Sequence, residues 1–191
     1  FRGKPKIEKA TVEVVNSNTI VSALKTGKYD MAIRIPTDLY KSYKDLNNLE
    51  ILGNQELYYS YMAFKVGHFD KVKGENITDP NAKMADVRLR QALVYGLDVE
   101  QMVKAFYYGL RERATMAVPP AFKKYYSKDI AGFPYDPEKA KKLLDEAGYK
   151  DVNGDGYRED KNGKPFEVRI ASMAGGDIAE PLAQFYIQQW K

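Results

Sequence analysis

The densest run of oxygen-bearing side chains is Asp151-Val-Asn-Gly-Asp-Gly-Tyr-Arg-Glu159. Asp151, Asn153 and Asp155 alternate, and Gly156 follows, which is the spacing of the first half of an EF-hand calcium loop. Three side-chain oxygens so placed can converge on one hard cation, and the glycine allows the tight turn. Tyr157 would supply its backbone carbonyl, and Glu159 stands at the ninth position. The twelfth position holds Asn162 instead of a bidentate glutamate, and residues 166–171 read as a strand rather than an exiting helix. Two readings stay open: a weak calcium site, or an Asp/Asn/Gly turn leading into a hairpin.

Little else points to catalysis. The 191 residues include no cysteine and one histidine, His68. Disulfides and thiolate metal sites are therefore excluded. A lone histidine without a nucleophile or ligand set reads as a surface residue. There is no phosphate loop or nucleophile motif, and nothing selects a pair of carboxylates. The chain reads as a non-enzyme that requires no cofactor, with calcium as the single metal candidate. The formal charge of +4 is modest, and lysines alternate with acids along most of the chain, so nucleic-acid binding is not expected. The 15 tyrosines carry flat apolar faces with polar tips, which suit binding clefts for varied ligands. No apolar run of about twenty residues is present. The opening Phe1-Arg-Gly-Lys4 carries neither a signal peptide nor a lipid-attachment cysteine, so the protein is either cytosolic or has lost its N-terminus.

The elements that would position such residues are legible from caps and periodicity. Asp86 can cap a helix with Leu89, Leu93 and Leu97 on one face. Asp98 restarts helix with Gln101 as its capping-box partner, and Gly109 stops it. Asp136, Pro137 and Gly148 frame a further helix striped by Ala140, Leu143, Leu144 and Ala147, with Lys141 and Lys142 on its solvated face. Ile7–Val15 and Asp30–Ile35 read as parallel strands around a helix through Ile20, Ala23 and Leu24, a βαβ unit. Residues 37–44 read as a short helix and 49–52 as a short strand. Glu56–Val66 reads as a long strand buried on both faces. Residues 67–85 read as an exposed loop. Two prolines, Pro119 and Pro120, fix an extended segment. Phe166–Ser172 reads as a strand, and Asp177 caps a last helix with Glu180 in its first turn.

Four of these stretches resemble, in order, the oligopeptide- and dipeptide-binding proteins that serve ABC importers, known as solute-binding protein family 5. They are Gly3-Lys4-Pro5-Lys6-Ile7 with Ala23-Leu24 to Asp30; Asp86-Val-Arg-Leu-Arg-Gln-Ala-Leu93 with Asp98 and Gly109; Val118-Pro119-Pro120; and Tyr135-Asp136-Pro137 through Ala147-Gly148. One departure is Lys65, where the family usually has an asparagine after the aromatic residue.

The resemblance implies an α/β protein of the type II periplasmic-binding-protein-like fold, with two lobes closing on a short peptide. This sequence would be a partial chain. Residues 1–55 would end the first lobe, 56–66 would be a crossing strand, and 67–191 would begin the C-terminal lobe. The chain stops before the acidic residue that holds the peptide amino terminus. By segment, Arg34, Ile35, Pro36, Tyr40, Tyr59, Ser60, Tyr61, Pro119 and Pro120 would line the cleft. The implied partners are an oligopeptide and a membrane permease, and the implied protein is a monomeric extracytoplasmic receptor, either a cell-surface lipoprotein or periplasmic. The alternatives are a non-peptide solute receptor of the same family and a calcium-stabilised extracellular interaction module.

Overall fold

In the computed structural model the described residues are 3–4, 6–53, 56–57, 59–172 and 178–191. They form two compact units, residues 1–52 and 53–191.

In the first unit, helix α1 spans Ser17–Lys25. It ends where the Lys28 N–H reaches the Ala23 carbonyl and the Gly27 N–H the Leu24 carbonyl. Leu24 is its buried anchor, and the Asn48 side-chain amide donates to the Leu24 carbonyl at 2.9 Å. A 3-10 turn over Thr37–Leu39 leads into the short helix α2, Tyr40–Tyr43. The rings of Tyr40 and Tyr43 meet edge to face at 5.6 Å, with Tyr43 buried.

The expected strands over 7–15, 30–35 and 49–52 are irregular, so no βαβ unit closes among the described residues. A strand exists only through a ladder partner, and these segments have none here. Most of their large apolar side chains are exposed, Val14 at 99%, while Val15, Ile35 and Leu49 are half-buried.

The second unit is built on two packed helices, α3 (Val87–Tyr95) and α5 (Pro137–Glu146). Asp86 caps α3 by accepting the Arg88 N–H. Asp136 caps α5 by accepting the Lys139 N–H, with Pro137 opening the helix. The Tyr149 N–H returns to the Leu144 carbonyl and the Gly148 N–H to that of Asp145, a Schellman ending. Leu89, Ala92, Tyr95, Ala140, Ala147 and Tyr149 are buried between these elements, with Leu143, Leu144 and Phe166 packed against them.

In chain order α3 is followed by α4, Val99–Tyr107, capped by Asp98. The expected capping box does not form from within. The Asp98 N–H donates to the Gln189 side chain at 3.0 Å, and the Gln189 amide donates on to Gln101. Gln189 ends helix α6, Ala179–Gln189. Asp177, the expected cap of α6, lies outside the described residues. Trp190 donates its indole N–H to the Leu93 carbonyl at 2.8 Å and stacks on Tyr186. A Cβ at Gly96 would lie 3.3 Å from the Trp190 ring, so this glycine lets the indole approach. The end of α4 turns through two left-handed residues, Tyr108 at φ 53° and Gly109 at φ 76°.

The region read as an exposed loop holds a hairpin of β1 (Gly67–Asp70) and β2 (Glu75–Thr78), with Gly67 opposite Thr78 and Asp70 opposite Glu75. Asp70 closes its turn by accepting the N–H groups of Val72 and Lys73. Gly67 is required by close approach, since a Cβ there would stand 2.0 Å from the Ile77 carbonyl oxygen. Two other strand expectations change. Residues 59–66 form no strand and are largely exposed instead of doubly buried, with Tyr61 78% exposed. Residues 166–172 are irregular, and isolated bridges pair Lys150 with Glu159 and Glu159 with Pro165. Again the lack is of a partner strand.

Candidate functional site

The Asp-Val-Arg-Leu-Arg run is structural. Arg88 grips Asp86 through two bonds, at 3.0 and 2.7 Å, and donates at 2.7 Å to the Glu146 carbonyl at the end of α5. Arg90 donates to the carbonyls of Met84 and Ala85, holding the 3-10 turn Lys83–Ala85 against α3. Both guanidinium groups thus tie the start of α3 to its neighbours. The Arg88 bond holds the Asp86 carboxyl below its ordinary value.

The Asp151–Glu159 loop satisfies itself. Asp151 accepts the N–H groups of Gly154 and Gly156. Asn153 accepts that of Asp155, and Asp155 accepts that of Tyr157. Glu159 is 5% exposed and accepts the Val152 N–H and the Asn153 side-chain amide, each at 2.9 Å. The carboxylates expected to face a cation hold backbone amides, while Tyr157 stays exposed. Among the described residues no group of three histidine, cysteine or acidic side chains is arranged to hold a metal. His68 lies exposed on β1.

The expected ligand residues fall in both units. Arg34, Ile35, Pro36 and Tyr40 form one stretch of the first unit. Arg34 is exposed and left-handed at φ 60°. That backbone costs a residue with a Cβ roughly 1–2 kcal/mol. Ile35 and Pro36 are half-buried, and Pro36 precedes the 3-10 turn at φ −55°. The Thr37 hydroxyl oxygen is buried without a hydrogen-bond partner among the described residues.

In the second unit, Tyr59, Ser60 and Tyr61 are exposed, and the Tyr59 and Tyr61 rings lie 5.9 Å apart, side by side as alternate residues. Pro119 is buried and Pro120 half-buried, and the Pro119 carbonyl accepts the Phe122 N–H in a turn. A polar depression in this unit is lined by Asn81, Lys83, Asp86, Tyr149, Asp160 and Lys161, and none of the expected ligand residues lines it. Sequence reasoning missed the left-handed turn at Arg34, which no glycine marks.

The whole chain, residues 1–191, matches the family described as bacterial extracellular solute-binding proteins, family 5 Middle. It is 39% identical over 98% of its length to the oligopeptide-binding protein OppA of Lactococcus lactis subsp. lactis, covering 31% of that protein. It is 31% identical over all of its length to the oligopeptide-binding protein AppA of Bacillus subtilis (strain 168), covering 33% of it. Among solved structures it resembles lactococcal OppA, complexed with an endogenous peptide in the closed conformation, with a TM-score of 0.79 and 35% identity over 92% of this chain and 33% of that one. The chain thus spans about a third of the length of these relatives. Its fold is that of part of a type II periplasmic binding protein. The chain belongs to the bacterial extracellular solute-binding proteins of family 5.

Proposed function

We propose that the protein captures oligopeptides outside the cytoplasm and delivers them to the membrane permease of an ABC importer. One observation carries this reading: 98% of the chain aligns at 39% identity with an oligopeptide-binding protein. Peptide backbone groups would pair with main chain at the cleft, which tolerates varied sequences, while aromatic pockets holding water take varied side chains. Arg34, Ile35, Pro36, Tyr40, Tyr59, Ser60, Tyr61 and Pro120 are the contact residues in this reading. Pro119, being buried, supports the turn beside them. Residues 1–55 end one lobe, 56–66 cross, and 67–191 begin the next. Hinge closure would create the form the permease recognises.

The protein acts as a monomeric receptor, lipid-anchored or periplasmic, and alters no covalent bond. It binds no nucleic acid and needs no cofactor. We infer that the Asp151 loop needs no calcium, because its carboxylates already hold backbone amides. Native mass spectrometry of the full-length protein, titrated with mixed short peptides, tests the reading. Exchangeable peptide-sized adducts are expected. Absence of binding through the micromolar range would remove the peptide and leave a different solute for the same fold.

A further inference from the structure

We propose that Asn162–Gly163 is a site of covalent self-modification, where asparagine becomes aspartate or isoaspartate, and that the fold protects Asn153–Gly154 from the same reaction. The sequence holds two Asn-Gly pairs, both between Asp151 and Lys164. The chemistry needs no enzyme. The glycine backbone nitrogen gives its proton to water or hydroxide and attacks the asparagine Cγ. A new N–C bond closes a succinimide ring, the bond from Cγ to Nδ2 breaks, and the side-chain nitrogen leaves as ammonia. Water then opens the ring at one of its two carbonyls. One opening yields aspartate; the other yields isoaspartate, with an extra methylene in the main chain. Glycine favours the step because no Cβ restricts the backbone at the attacking nitrogen.

The backbones of the two pairs are alike, with Gly154 at φ 79° and Gly163 at φ 73°. Their surroundings differ. The Asn153 side chain is held at three points. Its Oδ1 accepts the Asp155 N–H at 2.8 Å, and its Nδ2 donates to Asp155 at 3.1 Å and to the buried Glu159 at 2.9 Å. Cγ cannot swing toward the Gly154 nitrogen until these bonds break. The Gly154 N–H also points at the Asp151 carboxylate, 2.6 Å away. Losing that proton would set an anionic nitrogen against an anionic oxygen. At the second pair the Gly163 N–H meets a neutral acceptor, the Asp160 carbonyl at 2.9 Å. The nearby acid is Asp160 itself, which meets the Asn162 side chain and whose Oδ1 already accepts the N–H groups of Asn162 and Lys164. Lys161 and Lys164 flank the pair, so positive charge stands close to where negative charge develops. Asp160, Lys161 and Asn162 also border the polar depression shared with Lys83 and Asp86. Conversion of Asn162 adds a carboxylate to that rim, and the isoaspartate form lengthens the turn that Asp160 and Lys164 close.

Incubation of the full-length protein in heavy-oxygen water at mildly alkaline pH, then chymotryptic digestion and mass spectrometry, reads both pairs at once. Cleavage after Tyr149, Tyr157 and Phe166 puts Asn153 and Asn162 in separate peptides, and the oxygen label marks conversions made during the incubation. In the folded protein Asn162 should convert at least about tenfold faster than Asn153, whose side-chain bonds must break first. In guanidinium the two rates should converge. Equal folded rates, or faster conversion at Asn153, would overturn the proposal. So would a preference for Asn162 that persists unchanged in guanidinium, since the fold would then protect nothing. A folded Asn162 that stays intact while the unfolded chain converts would overturn it as well.

Discussion

Glu159 shows what one side chain does when its charge is folded inward. Its carboxylate receives the Val152 N–H and the Asn153 amide, so Glu159→Ala strands the Val152 N–H and leaves the Asn153 amide with Asp155 alone. Urea unfolding should report a loss of about 1–3 kcal/mol. Calcium or a chelator should leave the melting temperature of the wild type unchanged, because the turn closes on its own amides. A rise with calcium would reverse that assignment. Asp86 carries a pH signature. Arg88 bonding depresses its carboxyl below the ordinary 3.8. A depressed carboxylate contributes stability that is present above its unfolded value and lost as pH falls through the folded one. Asp86→Asn keeps an oxygen for the Arg88 N–H but surrenders the ion pair. Stability of the wild type should therefore fall more steeply below 3.8 than that of the variant, measured by thermal melts across acid pH.

The α3–α5 pair is the element on which the second unit turns. Leu89 is 0% exposed between them. Leu89→Ala should cost about 3 kcal/mol by chemical denaturation, the sum of lost transfer and an unfilled cavity. The caps Asp86, Asp98 and Asp136 were legible in the sequence because each acts on amides within three residues of itself. The stripe of Ala140, Leu143, Leu144 and Ala147 was legible for the same local reason. Gln189 was not: it replaces Gln101 at the Asp98 N–H from 91 residues away. The hairpin was missed because Gly67-His-Phe-Asp70 lacks clean alternation. Its usable signals were Asp70 as a turn acceptor and Gly74 at φ 68°. Of the expected ligand residues, only the stretch from Arg34 to Tyr40 shows a local oddity, and that appears in the backbone angle of Arg34 rather than in residue types.

Across the whole molecule, the strands are where sequence and structure part. Periodicity reports which face a strand would bury, but a ladder needs a second strand, and Val12, Val14, Met31 and Ile33 stand exposed here. We propose that these segments pair in the full-length protein. Hydrogen exchange should then be fast over 7–15 and 30–35 in the 191-residue chain and slowed in the full-length protein; equal rates in both would refute the pairing. The second unit should show its slow amides in α3 and α5 in either form. The only tryptophan, Trp190, is bonded to the Leu93 carbonyl and stacked on Tyr186. Its emission is therefore a private reporter of whether α6 remains docked on α3. A melt followed by tryptophan fluorescence records that one attachment, whereas far-ultraviolet dichroism records every helix. Two midpoints that disagree would time the release of the C-terminal helix against the loss of the rest.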